Sequence, residues 1–89
     1  KALNVLGGKM CKYPLQLACR RCGYTVDFKV CACSSNVQTF HLNIISTLCR
    51  QGQFHHTSMS DERCVRVSTS CLKCKKDFTT TFIHPQFFD

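Results

Sequence analysis

Nine cysteines in a chain of 89 residues constrain this protein more than any other feature of its sequence. A chain this short buries a small fraction of its surface, so an additional cross-link is expected to stabilise it. A cysteine content this high is typical of disulfide scaffolds from oxidising compartments. Because the sequence begins with Lys1 and no signal-peptide pattern opens it, we interpret it as a processed, mature chain. We therefore expect a secreted, extracellular protein made of one disulfide-stabilised domain, residues 1–89.

Disulfide formation is the first of three chemistries open to these cysteines. We expect four intramolecular bridges, whose connectivity the sequence leaves open. The odd count predicts that one cysteine is unpaired or joins two copies in a disulfide-linked homodimer. The predicted disulfide residues are Cys11, Cys19, Cys22, Cys31, Cys33, Cys49, Cys64, Cys71 and Cys74.

Metal binding and redox exchange are the other two chemistries. The segments CRRCG and CLKCK resemble the paired-thiolate turns that hold tetrahedral zinc. However, 48 residues separate the two pairs, and zinc would leave five cysteines unexplained. A redox pair needs a position at a helix start, whereas Cys19 and Cys22 fall near a predicted helix end. The prediction is therefore disulfides, with no metal and no cofactor.

Local patterns predict an α+β fold, a small disulfide-rich domain with two short helices and about three antiparallel strands. Pro14 at a helix start and Gly23 past a helix end predict a helix over 14–22. The segment after Ser35, taken as the N-cap, has helical spacing and favours a second helix over a competing strand through Phe40, Leu42 and Ile44. This second helix is predicted over 36–50. The remaining predicted elements are a strand over 24–30, an exposed loop over 51–62, and a hairpin of strands 63–71 and 78–82.

A net charge of +7 favours an acidic partner. We expect binding through exposed loops and turns, because small scaffolds place functional residues there. The strand aromatics are assigned to the core, so nucleic-acid binding is disfavoured unless zinc is present. The candidate binding residues are Lys73, Lys75, Lys76, Arg63, Arg66, Phe54, His55 and His56.

No enzyme motif is present. The four histidines form no HExxH pattern, and no GxSxG, P-loop or GxGxxG sequence occurs. The few acidic residues form no visible inward-facing pair. We therefore predict no catalytic residues and no enzyme activity.

The stretch LACRRCGYTVDFKVCAC resembles the cysteine pattern of centipede venom peptides of the scoloptoxin type. This resemblance implies a secreted venom toxin that binds and modulates an ion channel or receptor in an extracellular membrane. Two alternatives remain: a disulfide-linked dimeric ligand of the cytokine or growth-factor kind, and a zinc-binding nucleic-acid module.

Overall fold

The computed structural model describes residues 12–53 and 55–87 as an α+β fold of five strands and one α-helix. The strands form two antiparallel sheets, one of order β1-β2 and one of order β3-β4-β5. The elements are β1 Tyr13–Ala18, β2 Thr25–Val30, α1 Val37–Arg50, β3 His55–Ser60, β4 Cys64–Ser70 and β5 Asp77–Ile83, followed by a 3-10 turn at Pro85–Phe87.

The predicted helix over 14–22 is wrong, because most of this segment is strand β1. The residues Tyr13, Leu15 and Leu17 face inward at the two-residue period of a strand. Pro14 is tolerated because β1 is an edge strand, paired only with β2, so no ladder hydrogen bond on its open side is lost. The predicted strand over 24–30 is confirmed as β2, which pairs with β1 along its whole length.

The predicted helix over 36–50 is confirmed, although its N-cap is Asn36 rather than Ser35. The Asn36 side chain accepts a 2.8 Å hydrogen bond from the backbone N–H of Gln38. Phe40, Ile44 and Leu48 are buried at the helical spacing that the sequence indicated.

The predicted loop over 51–62 is also wrong, since it contains β3. This strand is the polar edge of its sheet, and only His55 and Ser58 are half-buried. It therefore lacks the apolar alternation from which a strand is normally recognised. A hydrogen bond of 2.8 Å between His41 Nε2 and Ser58 Oγ links it to α1. The predicted hairpin is confirmed as β4 and β5.

The core lies where the two sheets and α1 meet. Phe28 of β2 and Phe82 of β5 form an edge-to-face pair with ring centroids 5.7 Å apart. This contact joins the β1-β2 hairpin to the β4-β5 hairpin. The buried apolar residues are Leu17, Phe28, Val30, Ala32, Phe40, Ile44, Leu48, Val65, Val67 and Phe82. No helix within the described residues combines the length and apolar character needed to cross a bilayer.

Candidate metal centre

The first cysteine pair lies in the turn between β1 and β2. The backbone N–H of Cys19 donates to the carbonyl of Tyr24 at 2.8 Å, and the N–H of Gly23 donates to the carbonyl of Cys19 at 2.9 Å. Gly23 has a φ of 76°, a left-handed conformation that glycine adopts without steric cost. The tight turn brings the side chains of Cys19 and Cys22 to the same end of the hairpin.

The second pair lies in the turn between β4 and β5 and repeats this hydrogen-bond pattern. The N–H of Cys71 donates to the carbonyl of Lys76, and the N–H of Lys75 donates to the carbonyl of Cys71, both at 2.9 Å. Lys75 occupies the position equivalent to Gly23 and has a φ of 67°. The segments CRRCG and CLKCK thus form equivalent turns in two different hairpins.

The two turns meet, so that four sulfur atoms cluster together. The Sγ atoms of Cys19, Cys22, Cys71 and Cys74 all lie within 4.8 Å of one another. Cys19 Sγ is 3.8 Å from Cys74 Sγ, and Cys22 Sγ is 3.4 Å from Cys71 Sγ. Cys19 and Cys71 are buried, while Cys22 and Cys74 are half-buried. We call these four residues the cysteine cluster.

The sequence argument against a metal site was that the pairs are too far apart along the chain. The structure removes this objection, because the intervening residues form α1 and β3 and the chain returns through β4. The packing of Phe28 on Phe82 brings the two hairpins, and therefore their turns, side by side. The separation in sequence is the length of this inserted structure.

The turns control the ionisation of the thiols. Burial opposes ionisation of Cys71, but the backbone N–H groups of Cys74 and Lys73 and the neighbouring thiols lower its pKa to about 6. Both N–H groups lie 3.4 Å from Cys71 Sγ. The N–H of Cys22 contributes most to a lowered pKa of Cys19. The N–H of Tyr24 favours the Cys22 thiolate, yet burial and the other thiols raise the pKa of Cys22 to about 11.

Polar contacts fix the two turns relative to each other. The Arg21 guanidinium donates a 2.9 Å hydrogen bond to the carbonyl of Asp77, at the start of β5. Gln53 is buried, and its Nε2 donates to Thr69 Oγ1 at 3.0 Å and to the Ser70 carbonyl at 2.8 Å. Its Oε1 lies 3.4 Å from the hydroxyl of Tyr24 next to the first turn. Sequence reasoning missed these roles, because nothing in the local pattern marks them.

Five cations lie between the cysteines of the two turns or directly after them in the sequence. We call them the basic rim. The sequence prediction did not include its two arginines among the binding residues. All five side chains are exposed: Arg20, Arg21, Lys73, Lys75 and Lys76.

The structure divides the binding residues that the sequence singled out. Lys73, Lys75 and Lys76 lie together in the second turn. Arg63 precedes β4, roughly 20 Å from that turn along the strand, and its guanidinium lies 5.8 Å from the ring centroid of Phe87. Arg63 therefore lies apart from the three lysines with which the sequence analysis grouped it.

The remaining predicted binding residues lie on the three-stranded sheet or outside the description. Arg66 is exposed in the middle of β4, away from the turn. His55 is half-buried and His56 is exposed, both at the start of β3. Phe54 lies outside the described residues. Of the predicted binding residues, only the three lysines belong to the basic rim, together with Arg20 and Arg21.

His56, Ser70 and Asp77 form a small polar cluster beside the second turn. His56 Nε2 lies 2.6 Å from Ser70 Oγ and 3.1 Å from Asp77 Oδ1. In a hydrolytic triad the serine and the carboxylate contact different ring nitrogens. Here they share one, and His56 and Asp77 are more than half exposed. The geometry is that of a surface ion pair rather than of an activated nucleophile.

The disulfide cysteines of the sequence prediction are dispersed. In the structure Cys19, Cys22, Cys49, Cys64, Cys71 and Cys74 are free thiols. Cys31 and Cys33 are exposed just after β2, and Cys11 lies outside the described residues. Only the members of the cysteine cluster lie close to one another as a group of four among the described residues.

Comparison with known proteins gives no match for this chain, neither to a family model nor to a curated protein or solved structure. Its function is therefore inferred from the residues of the site.

Proposed function

We propose that this protein is a zinc-stabilised nucleic-acid-binding module, with Zn²⁺ held by Cys19, Cys22, Cys71 and Cys74. One observation carries the proposal: four cysteine sulfurs from two turns lie within 4.8 Å of one another. The same convergence gathers the basic rim around them.

The spacing of the sulfurs supports a tetrahedral metal. With a Zn–S bond of about 2.3 Å, a tetrahedron has sulfur–sulfur edges of about 3.8 Å. The Cys19–Cys74 and Cys22–Cys71 sulfur distances, 3.8 and 3.4 Å, are close to this value and far longer than a disulfide bond of about 2.05 Å. The N–H groups that face Cys71 Sγ would remain as outer-shell donors to a bound thiolate.

The metal would be structural. Four thiolates fill the coordination sphere of zinc and leave no position for a substrate or an activated water. Zinc would join the β1-β2 hairpin to the β4-β5 hairpin. It would thereby stabilise a domain that is too short to bury a large hydrophobic core. The proposed role is therefore binding rather than catalysis.

The partner would be an anion of high charge density. The basic rim provides five exposed cations, and two of them are arginines that can form bidentate contacts with phosphate. Contacts to the phosphate backbone supply most of the affinity of non-specific nucleic-acid binding. These features favour nucleic acid over a partner with scattered carboxylates.

The alternative is the secreted, disulfide-stapled protein that binds a channel or receptor. The same cluster favours it in one respect, since the sulfur atoms of Cys19 and Cys74 lie 3.8 Å apart and those of Cys22 and Cys71 lie 3.4 Å apart. That protein would contain these two bridges instead of a metal. Its function as a toxin or as a dimeric ligand stays a prediction.

Native mass spectrometry of protein purified without chelator tests the metal. We expect one zinc ion per chain, with the thiols of the cysteine cluster reactive only after its removal. Cys22→Ser should abolish stoichiometric zinc and loosen the fold, whereas Cys49→Ser, at an exposed free thiol on α1, should change neither. Metal-free protein with Cys19–Cys74 and Cys22–Cys71 bridges would refute the zinc proposal and favour the secreted protein.

Fluorescence anisotropy with a labelled oligonucleotide tests the partner. The zinc-loaded double variant Lys73→Ala, Lys76→Ala should bind more weakly, with a salt slope smaller by roughly two. The control Lys29→Ala, Arg50→Ala loses the same charge beside β2 and α1 and should retain its affinity. Equal losses in both variants would indicate only a general charge effect.

A further inference from the structure

A groove extends from the cysteine cluster between the open edges of β1 and β5. Its volume is about 610 Å³. Each of these strands is paired on one side only, so the two edges face the groove with no strand between them. The residues that line the groove are Gln16, Ala18, Cys19, Arg20, Arg21, Phe78, Thr79, Thr80 and Thr81.

The charged residues that line the groove are both cationic. Arg20 and Arg21 lie at its cysteine-cluster end, and no carboxylate is among the lining residues. The hydrogen bond from Arg21 to the Asp77 carbonyl holds one guanidinium at this end, and the charge of Arg21 also contributes to the lowered pKa of the Asp77 carboxyl group. The threonines of β5 add hydroxyl groups that can donate hydrogen bonds to phosphate oxygens.

Phe78 is the aromatic residue of the groove. Phe78 is half-buried, packs against the core and also contributes to the lining of the groove. An exposed ring face next to cations is the arrangement on which unpaired bases stack, while the bases of a duplex are already covered by their neighbours. The position of Phe78 at the start of β5 places it beside Arg21 rather than at the far end of the groove.

We propose that this groove binds a single strand of nucleic acid, with a base stacked on Phe78 and the phosphates on Arg20 and Arg21. The inference rests on the proposed function and adds to it the strandedness of the ligand and the path of its backbone. The strand would follow the edge of β5, where four consecutive residues line a path of roughly 10 Å. The lysines of the second turn would contribute charge from outside the groove.

Binding of short oligo(dT) and of a duplex of equal length to the zinc-loaded protein tests this. Phe78→Leu should weaken oligo(dT) binding about tenfold, because stacking contributes that much per base. Duplex binding and zinc content should not change. The matched control Phe87→Leu, at an exposed ring beside Arg63, should have no effect.

Photo-crosslinking of the wild-type protein with bromodeoxyuridine-substituted oligo(dT) avoids the risk that Phe78→Leu disturbs the core. The expected cross-links lie in the peptide that contains Phe78. Cross-links elsewhere, or duplex bound as tightly as single strand, would overturn the groove inference. If Lys73→Ala, Lys76→Ala still weakened binding, the proposed function would stand. No binding of either oligonucleotide to zinc-loaded wild-type protein would overturn both.

Discussion

Gln53 donates a 2.8 Å hydrogen bond to the backbone carbonyl of Ser70, one residue before the second cysteine turn. Gln53 is 1% exposed and also donates to Thr69. A buried amide with these partners fixes the end of β4 from which Cys71 projects. A residue outside both CxxC segments thereby positions the cysteine cluster.

Replacement of this amide should weaken the site from a distance. Gln53→Ala leaves the Ser70 carbonyl and the Thr69 hydroxyl without this donor, and we expect a loss of about 1–3 kcal/mol in the free energy of unfolding. Urea denaturation of zinc-loaded protein measures it. Gln38→Ala, on the exposed surface of α1, serves as control and should change stability by less than about 0.5 kcal/mol. Equal effects of the two variants would show that the Gln53 contacts are dispensable.

The two left-handed residues of the turns predict opposite responses to substitution. An added Cβ at Gly23 would meet no atom within 4 Å, so Gly23→Ala should lose only the backbone preference, about 1–2 kcal/mol. Lys75 already bears this strain at a φ of 67°, and Lys75→Gly should be neutral or stabilise by up to about 1 kcal/mol. Thermal unfolding with saturating zinc compares them.

Lys73→Gly is the matched control, since it removes the same charge from the same turn without a positive φ to relieve. It should destabilise the protein relative to Lys75→Gly. If Lys75→Gly and Lys73→Gly lowered the free energy of unfolding equally, the left-handed backbone at Lys75 would not be a source of strain.

Zinc affinity should rise with pH, because zinc binds thiolates and competes with protons for them. In metal-free protein Cys71, with a pKa of about 6, is already ionised near neutral pH, whereas Cys22, with a pKa of about 11, is protonated. Zinc binding near neutral pH should therefore release the proton of Cys22 but not one from Cys71. Calorimetry in buffers of different ionisation enthalpy counts the protons. Zinc binding at neutral pH without release of any proton would contradict this assignment, because Cys22 would then already be ionised.

Asp77 should titrate below the usual range of a carboxyl group. The Ser70 hydroxyl donates to its Oδ1 at 2.9 Å and, with the charge of His56, lowers the pKa of Asp77. A lowered pKa in the folded state stabilises the protein at a pH above the usual aspartate value, and this stabilisation is lost as the pH falls through the folded value. Because Asp77 is exposed, the effect on stability should be small.

Ser70→Ala should raise the pKa of Asp77 towards its ordinary value, as followed by NMR titration of the carboxyl carbon. Ser68→Ala is the matched control, because the Ser68 hydroxyl contacts Thr79 instead. A pKa of Asp77 that does not respond to Ser70→Ala would assign the shift to His56 and the charge of Arg21.

Several elements were readable from the sequence because their signal is local. The helix α1 has a cap, an apolar period and a stop within one segment, and strand β2 alternates clearly. Strands β1 and β3 were not predicted, for different reasons. Pro14 in β1 was interpreted as the start of a helix, whereas the polar edge strand β3 has no apolar alternation. Their identity depends on pairing with β2 and β4, which no local window contains.

The features of the cysteine cluster can likewise be separated into those set by the local sequence and those set by the tertiary structure. By itself the sequence determined two CxxC segments, the glycine that follows the first of them, and the cations next to the cysteines. Only the tertiary structure decided that these turns are neighbours, since 48 residues separate Cys22 from Cys71. The physical reason is that turn geometry depends on hydrogen bonds within a few residues, whereas the approach of the turns depends on burying Phe28 against Phe82 across two hairpins.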